Sequence, residues 1–230
     1  MKYRITSDTK VVDNITLHRI ECVTAFGDVE CGEKGGWIES EKNLSQCGSA
    51  WIYNNATVFG NATVRENAVV SGYATVCDNA TVRENARISG KATVCGNAVV
   101  KDNATVCGDA MVCENAWVSR NARISGDATV CENAMVFGNA WVSRNAKVSG
   151  NATVCENAMV FGNADYIVFK NWWSSGRYFT WTRSNNKWKV GCFYGSGEEL
   201  IAKAYKDSEI SGREYERVVN YVNDILKEDE

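Results

Sequence analysis

This 230-residue chain has a single histidine, His18, no run approaching about 18 consecutive apolar residues, and no excess of either charge. Each shortage narrows the field. With no Cys-x-x-Cys pair and no Cys/His cluster at zinc spacing, no metal or other cofactor is expected. Without a long apolar run no membrane span is expected. Lys and Arg number 25 against 28 Asp and Glu, a net charge of −3 that argues against nucleic acid or an anionic membrane as partner. The first residues, Met1-Lys2-Tyr3-Arg4, lack the apolar stretch of a signal peptide, so a soluble protein of the bacterial cytoplasm is expected.

Cysteine is plentiful, with 10 residues, but its positions follow a repeat rather than a framework of paired loops, which favours reduced thiols. The triplets beginning at Asn55, Asn61, Asn79, Asn103 and Asn151 read Asn-Ala-Thr. So many glycosylation acceptors in one packed stack point to a compartment without that machinery.

The repeat dominates the chain. Alanine recurs every six residues from Ala50 to Ala164, and an aliphatic residue stands two places after each one from Ala50 to Ala158, as in Val58, Val64, Val70 and Ile88. The residue before the alanine is nearly always Asn, with Tyr73, Lys91, Asp109 and Asp127 as exceptions. A helix cannot use this pattern, because six residues advance about 600° and the apolar stripe would rotate around the axis. A short strand can: in Thr-Val-Cys the β-branched residue points one way and its neighbours the other. The next residues, Gly-Asn-Ala or Glu-Asn-Ala, must turn the chain, and Asn and Gly are the expected carriers of left-handed backbone.

With some nineteen consecutive hexads, the sequence resembles the hexapeptide-repeat proteins. The resemblance implies a mainly β fold, a left-handed parallel β-helix with three hexads, 18 residues, per coil. One coil buries only three aliphatics, too little to offset the entropy of ordering its residues, so neighbouring coils must stack and the ends need caps.

An 18-residue coil places residues 18 apart in one column, about 4.8 Å from rung to rung. One outer column reads Phe59, Cys77, Cys95, Cys113, Cys131, Ser149, which is expected to be a stack of small side chains. A second begins Arg65, Arg83, Lys101, an anion-binding candidate. Glu66, Glu84 and Asp102 follow these bases directly, so a self-neutralised face is the favoured reading. In the last three coils Trp117, Met135, Phe137, Trp141, Met159 and Phe161 occupy outward positions that upstream hold mostly Thr, Ser, Cys or Arg, marking a binding or self-association surface.

Three regions follow: residues 1–49, an N-terminal cap and irregular first coil in which Ile38 and Leu44 are one hexad apart; residues 50–164, the β-helix; and residues 165–230, a small α+β domain. The last contains strand-like runs at 166–170, 177–183 and 187–193, then two helices opened by capping boxes at Ser196-Gly197-Glu198-Glu199 and Ser211-Gly212-Arg213-Glu214, a β-β-β-α-α order. Trp172, Trp173, Tyr178, Phe179, Trp181 and Trp188 interleave with Arg177, Arg183, Lys187 and Lys189. A sheet core explains most of these aromatics, with the Trp172-Trp173 loop as an exposed anchor. The segments Gly35-Gly36-Trp37-Ile38-Glu39-Ser40-Glu41-Lys42-Asn43-Leu44-Ser45 and Gly191-Cys192-Phe193-Tyr194-Gly195 resemble a group of β-helix proteins found in phages, prophages and gut bacteria.

Hexapeptide-repeat families include many acyltransferases, which place a histidine base near the coil edge and interrupt the repeat with a loop that shapes the acyl-donor site. Here the hexads run unbroken and His18 precedes them, so no catalytic residue is expected. The reading is a non-catalytic binding protein, an inhibitor that occupies a host protein or sequesters a small ligand, and a dimer or trimer. A self-assembling scaffold and an acyltransferase are the alternatives.

Overall fold

The computed structural model describes residues 1–228 as a three-sided parallel β-solenoid of about seven turns, closed at one end by an antiparallel hairpin and at the other by a four-stranded sheet carrying two helices. Each hexad contributes a two-residue strand, and each strand pairs in register with the strand eighteen residues on: Thr57 with Thr75, Thr63 with Thr81, Val69 with Arg87. Three parallel sheets result. The first face runs from Trp37 and Ile38 through Thr57–Val58 to Lys147–Val148, the second from Thr63–Val64 to Thr153–Val154, and the third from Trp51–Ile52 to Met159–Val160. The aliphatics after each alanine all point inward and, with the alanines at the corners, are sealed from water. The irregular first coil begins at Ile38, which pairs with Val58, and continues through Leu44, which bridges to Val64; both offsets are twenty residues rather than eighteen.

The corners differ from expectation in one respect. The left-handed residue is the one before the Asn, whether Gly or not: Asp78 (φ 59°), Glu84 (60°), Asp102 (59°) and Glu114 (59°) all adopt it. A non-glycine residue there costs on the order of 1–2 kcal/mol. Its acidic side chain recovers part of that by reaching to the next coil: Gly96 N–H donates to Asp78 Oδ2 (2.9 Å), Asp102 N–H to Glu84 Oε2 (3.0 Å) and Arg120 N–H to Asp102 Oδ2 (2.8 Å). The Asn side chains are thereby free to stack. Two amide ladders climb the solenoid, Asn61-Asn79-Asn97-Asn115-Asn133 and Asn67-Asn85-Asn103-Asn121-Asn139-Asn157, each Nδ2 donating to the next Oδ1 at 3.0–3.3 Å. Four exceptions to the Asn rule, Tyr73, Lys91, Asp109 and Asp127, are eighteen residues apart and so share the remaining corner. There each follows a glycine, and a Cβ on Gly72 would sit 2.8 Å from the Gly90 carbonyl oxygen.

The N-terminal strands Tyr3–Val12 and Ile15–Cys22 form a hairpin whose two-residue turn, Asp13-Asn14, has positive φ at both positions, the geometry that suits the strand twist. The hairpin extends the first face antiparallel. Tyr3 and Phe26 meet the fully buried Trp51 edge-on, with ring centroids 6.2 and 5.5 Å away, and plug the open end of the core.

At the other end, strands Tyr166–Lys170, Tyr178–Thr182, Lys187–Val190 and Phe193–Gly195 form an antiparallel meander. The run expected over residues 187–193 is divided by a turn at Gly191, whose φ is +53°, into two strands. Alternation gives the sheet two buried faces. Thr180 and Thr182 face the solenoid, while Phe179 and Trp181 join Trp188, Leu200, Tyr215 and Val219 beneath the helices. Helix α1 (Gly197–Asp207) starts with the expected box: Glu199 N–H donates to Ser196 Oγ and Ser196 N–H to Glu199 Oε2. Helix α2 (Glu209–Glu228) starts earlier than the Ser211 box implies, because Ser208 Oγ accepts from Ser211 N–H and takes the cap. Gly212 then lies inside α2, where a Cβ would fall 2.2 Å from the Tyr205 ring, so the residue permits the close crossing of α1 and α2.

Candidate functional site

The outward apolar residues of the upper coils are divided by the corner at Gly138-Asn139 into two groups. On the third face Trp141 and Phe161 meet edge-on at 5.3 Å beside Met159, and Trp141 Nε1 donates to Ser125 Oγ at 3.0 Å. Arg123 and Arg144 lie over Trp141 and Phe161 at 5.9 and 5.3 Å, so this group carries its own cationic cover. On the second face Val99, Trp117 and Met135 stack in one column, with Trp117 and Met135 exposed.

The second group faces the terminal sheet across a groove of about 410 Å³. Met135, Phe137, Asn133, Asn151 and Thr153 supply the solenoid side, and Arg177, Tyr178, Lys189 and Gly191 the other. Local structure explains how the cap residues arrive there. Asn171, buried, binds Ser174 through both N–H···Oδ1 (2.9 Å) and Nδ2···Oγ (2.9 Å), and its own N–H donates to the Arg177 carbonyl (2.7 Å). This closes the loop that delivers Arg177 and Tyr178 to the groove. In the same loop Trp173 turns inward onto Tyr215 and Phe179, while Trp172 is 77 % exposed, so only one of the pair is an exposed anchor.

The groove sets cations against aromatic rings. Lys189 Nζ lies 5.9 Å from the centre of the Phe137 ring, and Lys170 Nζ lies 5.7 Å from that of Tyr178. Among the described residues neither Arg177 nor Lys189 forms an ion pair with a carboxylate. The basic ladder lower in the Phe137 column differs. Arg83 pairs with Glu84, and Lys101 reaches Glu84 (3.9 Å), Asp102 (3.5 Å) and the ring of Trp117 (5.6 Å). Glu84 and Asp102 hydrogen-bond to each other, which pushes the Glu84 carboxyl up and holds Asp102 down. Arg65 begins this ladder one coil below Arg83. A second groove of about 400 Å³ near the N-terminal cap is lined by Phe26, Asp28, Tyr53 and Arg87, one cation and one carboxylate among them. The sequence hinted at Arg177, Tyr178 and Lys189 through their aromatic and basic interleaving. It did not reveal that they meet Met135 and Phe137.

His18 lies in the N-terminal hairpin, paired across the strand with Ile38, far along the chain from this groove. All ten cysteines are free thiols. Column stacking brings Cys77, Asp78 and Cys95 together, with their ligand atoms all within 4.8 Å of one another, a cluster that Cys-x-x-Cys spacing could not reveal. No described helix is long and apolar enough to cross a membrane.

Residues 50–66 match the family described as YdcK Beta solenoid repeat. This chain is a hexapeptide-repeat β-helix protein. It is 35 % identical over 80 residues to a protein of Escherichia coli (strain K12) named "Uncharacterized acetyltransferase YdcK". That similarity covers 31 % of this chain and 24 % of the relative, so the chain spans about a quarter of the relative's length.

Proposed function

We propose that this β-helix protein is a non-catalytic binding protein whose site is the groove between the second face and the terminal sheet, and that it takes an acidic, partly apolar segment of a host protein. The supporting observation is the pair of cations without carboxylate partners, Arg177 and Lys189, set against the apolar floor of Met135 and Phe137. Such a site suits a negatively charged partner with an apolar anchor, because the cations select charge while the floor supplies burial. Occupying a host protein in this way would make the chain an inhibitor. Pull-down from a bacterial lysate tests it: the wild-type chain captures one stoichiometric partner and Arg177→Glu/Lys189→Glu loses it. Equal capture by both proteins rejects the groove.

The third-face group of Trp141, Met159 and Phe161 is assigned to self-association into a dimer or trimer. Mass photometry of Trp141→Ser/Phe161→Ser, expected to be monomeric, tests this. Self-assembly with no captured partner favours the scaffold reading.

The name of the Escherichia coli relative favours acyl transfer as a second reading. The same cations would then hold the phosphates of an acyl donor. Against this stand the unbroken hexads and the position of His18. Calorimetry with acetyl-CoA separates the readings, since binding lost in Arg177→Glu/Lys189→Glu revives the enzyme and no binding removes it.

A further inference from the structure

We propose that the cysteine column is a binding site for a soft monovalent d10 ion such as Cu(I), held linearly between thiolates on adjacent coils. Cys77, Cys95, Cys113 and Cys131 occupy successive rungs of one corner, following Val76, Val94, Val112 and Val130 on the first face. The Cys77 and Cys95 sulfurs lie within 4.8 Å of each other, and the same strand register carries the column on to Cys113 and Cys131. The sulfurs therefore form a line whose spacing is set by the backbone ladder.

That spacing selects the ion. Adjacent rungs are about 4.7–4.9 Å apart. Two metal–thiolate bonds of about 2.3 Å laid end to end span about 4.6 Å, so an ion midway between two sulfurs fits with little movement. Soft thiolates select Cu(I) and zinc, and the coordination number decides between them. A structural zinc site needs four ligands in a tetrahedron, and the column offers two sulfurs and the Asp78 carboxylate at its best-furnished level, with the sole histidine in the N-terminal hairpin.

The first pair is the best furnished, since the Cys77 and Cys95 sulfurs and a carboxylate oxygen of Asp78 all lie within 4.8 Å of one another. An ion entering between the two sulfurs forms two metal–sulfur bonds and releases both thiol protons to solvent, with no change of oxidation state. Asp78 and Asp13 add negative charge beside the pair, which favours a cation. Four sulfurs make two such pairs, Cys77 with Cys95 and Cys113 with Cys131. The remaining solenoid thiols lack a partner: Cys107 lies between Ser89 and Ser125, and Cys155 lies above Phe137.

The test is anaerobic titration of the full, reduced chain with Cu(I), supplied as its acetonitrile complex, in competition with the chromophoric chelator bicinchoninate. The wild-type chain should retain two ions and develop sulfur-to-copper charge-transfer absorbance. Cys31→Ser/Cys47→Ser/Cys192→Ser, which removes the exposed thiols, should also retain two. Adding Cys95→Ser should leave one, and adding Cys95→Ser/Cys113→Ser should leave none. Serine already stands in this column at Ser149, so the variants should keep their circular dichroism and melting temperature. Two ions retained after Cys95→Ser, or none retained when only the exposed thiols are removed, would overturn the proposal.

Discussion

The two ends of the solenoid present opposite chemistry, and the chain closes each with the complementary kind of side chain. Along the coils the N–H groups that flank each inward aliphatic point toward the C-terminal end, and the carbonyls of the alanine and the aliphatic point toward the N-terminal end, as in Thr57 N–H to the Ala74 oxygen and Phe59 N–H to the Val76 oxygen. The first coil therefore offers unpaired acceptors. Donors meet them: Lys2 Nζ binds the Ala50 carbonyl (2.8 Å), Asn43 Nδ2 those of Gly60 (3.0 Å) and Ala62 (2.9 Å), and Tyr3 Oη that of Leu44 (2.7 Å). The last coil offers mainly unpaired donors, which oxygens meet, while Tyr166 Oη donates to the one open carbonyl of Lys147 (2.8 Å). Lys147 N–H donates to Asn163 Oδ1 (2.9 Å), Ser149 to Tyr166 Oη (3.3 Å), Thr153 to Thr180 Oγ1 (2.8 Å), Met159 to Ser184 Oγ (2.7 Å) and Phe161 to Asp165 Oδ2 (2.7 Å). A parallel solenoid has a direction, so its caps cannot be interchanged. An uncapped end is an open strand edge that recruits other chains.

The largest expected effect comes from removing the acceptor end altogether. A chain ending at Ala164 should lose its monodisperse state and associate through its exposed N–H groups, seen by size-exclusion chromatography with light scattering; a stable monomer would show that the terminal domain is not needed as a cap. Next, Asn43→Leu at the donor end removes two bonds to carbonyls and the one Asn43 Oδ1 accepts from Ser40 N–H, inside a site sealed from water. A loss of about 1–3 kcal/mol in urea unfolding is expected. Thr180→Val keeps the shape of the side chain but leaves Thr153 N–H without its acceptor, a smaller loss of about 1–2 kcal/mol. Equal losses from the two variants would mean that single and double caps count alike.

The last effect is a dependence on pH. Burial lowers Lys2 from its ordinary 10.5 to about 8, against a smaller upward pull from Cys47 and Cys22. The folded state therefore releases the proton more readily than the unfolded chain. Below pH 8 both states are charged and the cost of burying the ammonium is borne in full; between pH 8 and 10.5 the cost fades and folding becomes more favourable. The unfolding free energy of the wild-type chain should rise relative to Lys2→Met over that window, and parallel curves for the two proteins would contradict the assignment.

Much of the solenoid was legible because its period is a direct consequence of geometry. A strand side chain alternates with period two, the inward valines recur every six, and nothing but a turning strand accommodates both. The columns follow once eighteen residues close a coil, which Thr57 opposite Thr75 establishes. Which residue makes the turn was not legible. Asn has the higher tolerance for left-handed backbone, yet Glu84 and Asp102 take it, because their carboxylates can reach the next coil's N–H while the Asn amide stacks on its own kind. Propensity describes a residue alone; the ladder supplies a partner that changes the ranking.

The candidate site was legible only in halves. Met135 and Phe137 stand out against a background of Thr, Ser and Cys, and Arg177, Tyr178 and Lys189 stand out as basic and aromatic neighbours. Nothing in the sequence relates one half to the other, since that depends on how the terminal sheet sits on the last coil. Thr180 and Tyr166 settle that placement through bonds to the backbone of Thr153 and Ser149.

The amino-acid order alone determined the period, the inward face and the need for caps, because a regular repeat folds by contacts between equivalent positions. The tertiary structure decided what breaks the regularity: the groove, the inward turn of Trp173, and the sulfurs of Cys77 and Cys95 lying side by side with Asp78. Such contacts join residues far apart in the chain with no shared period, so only the packed molecule brings them together.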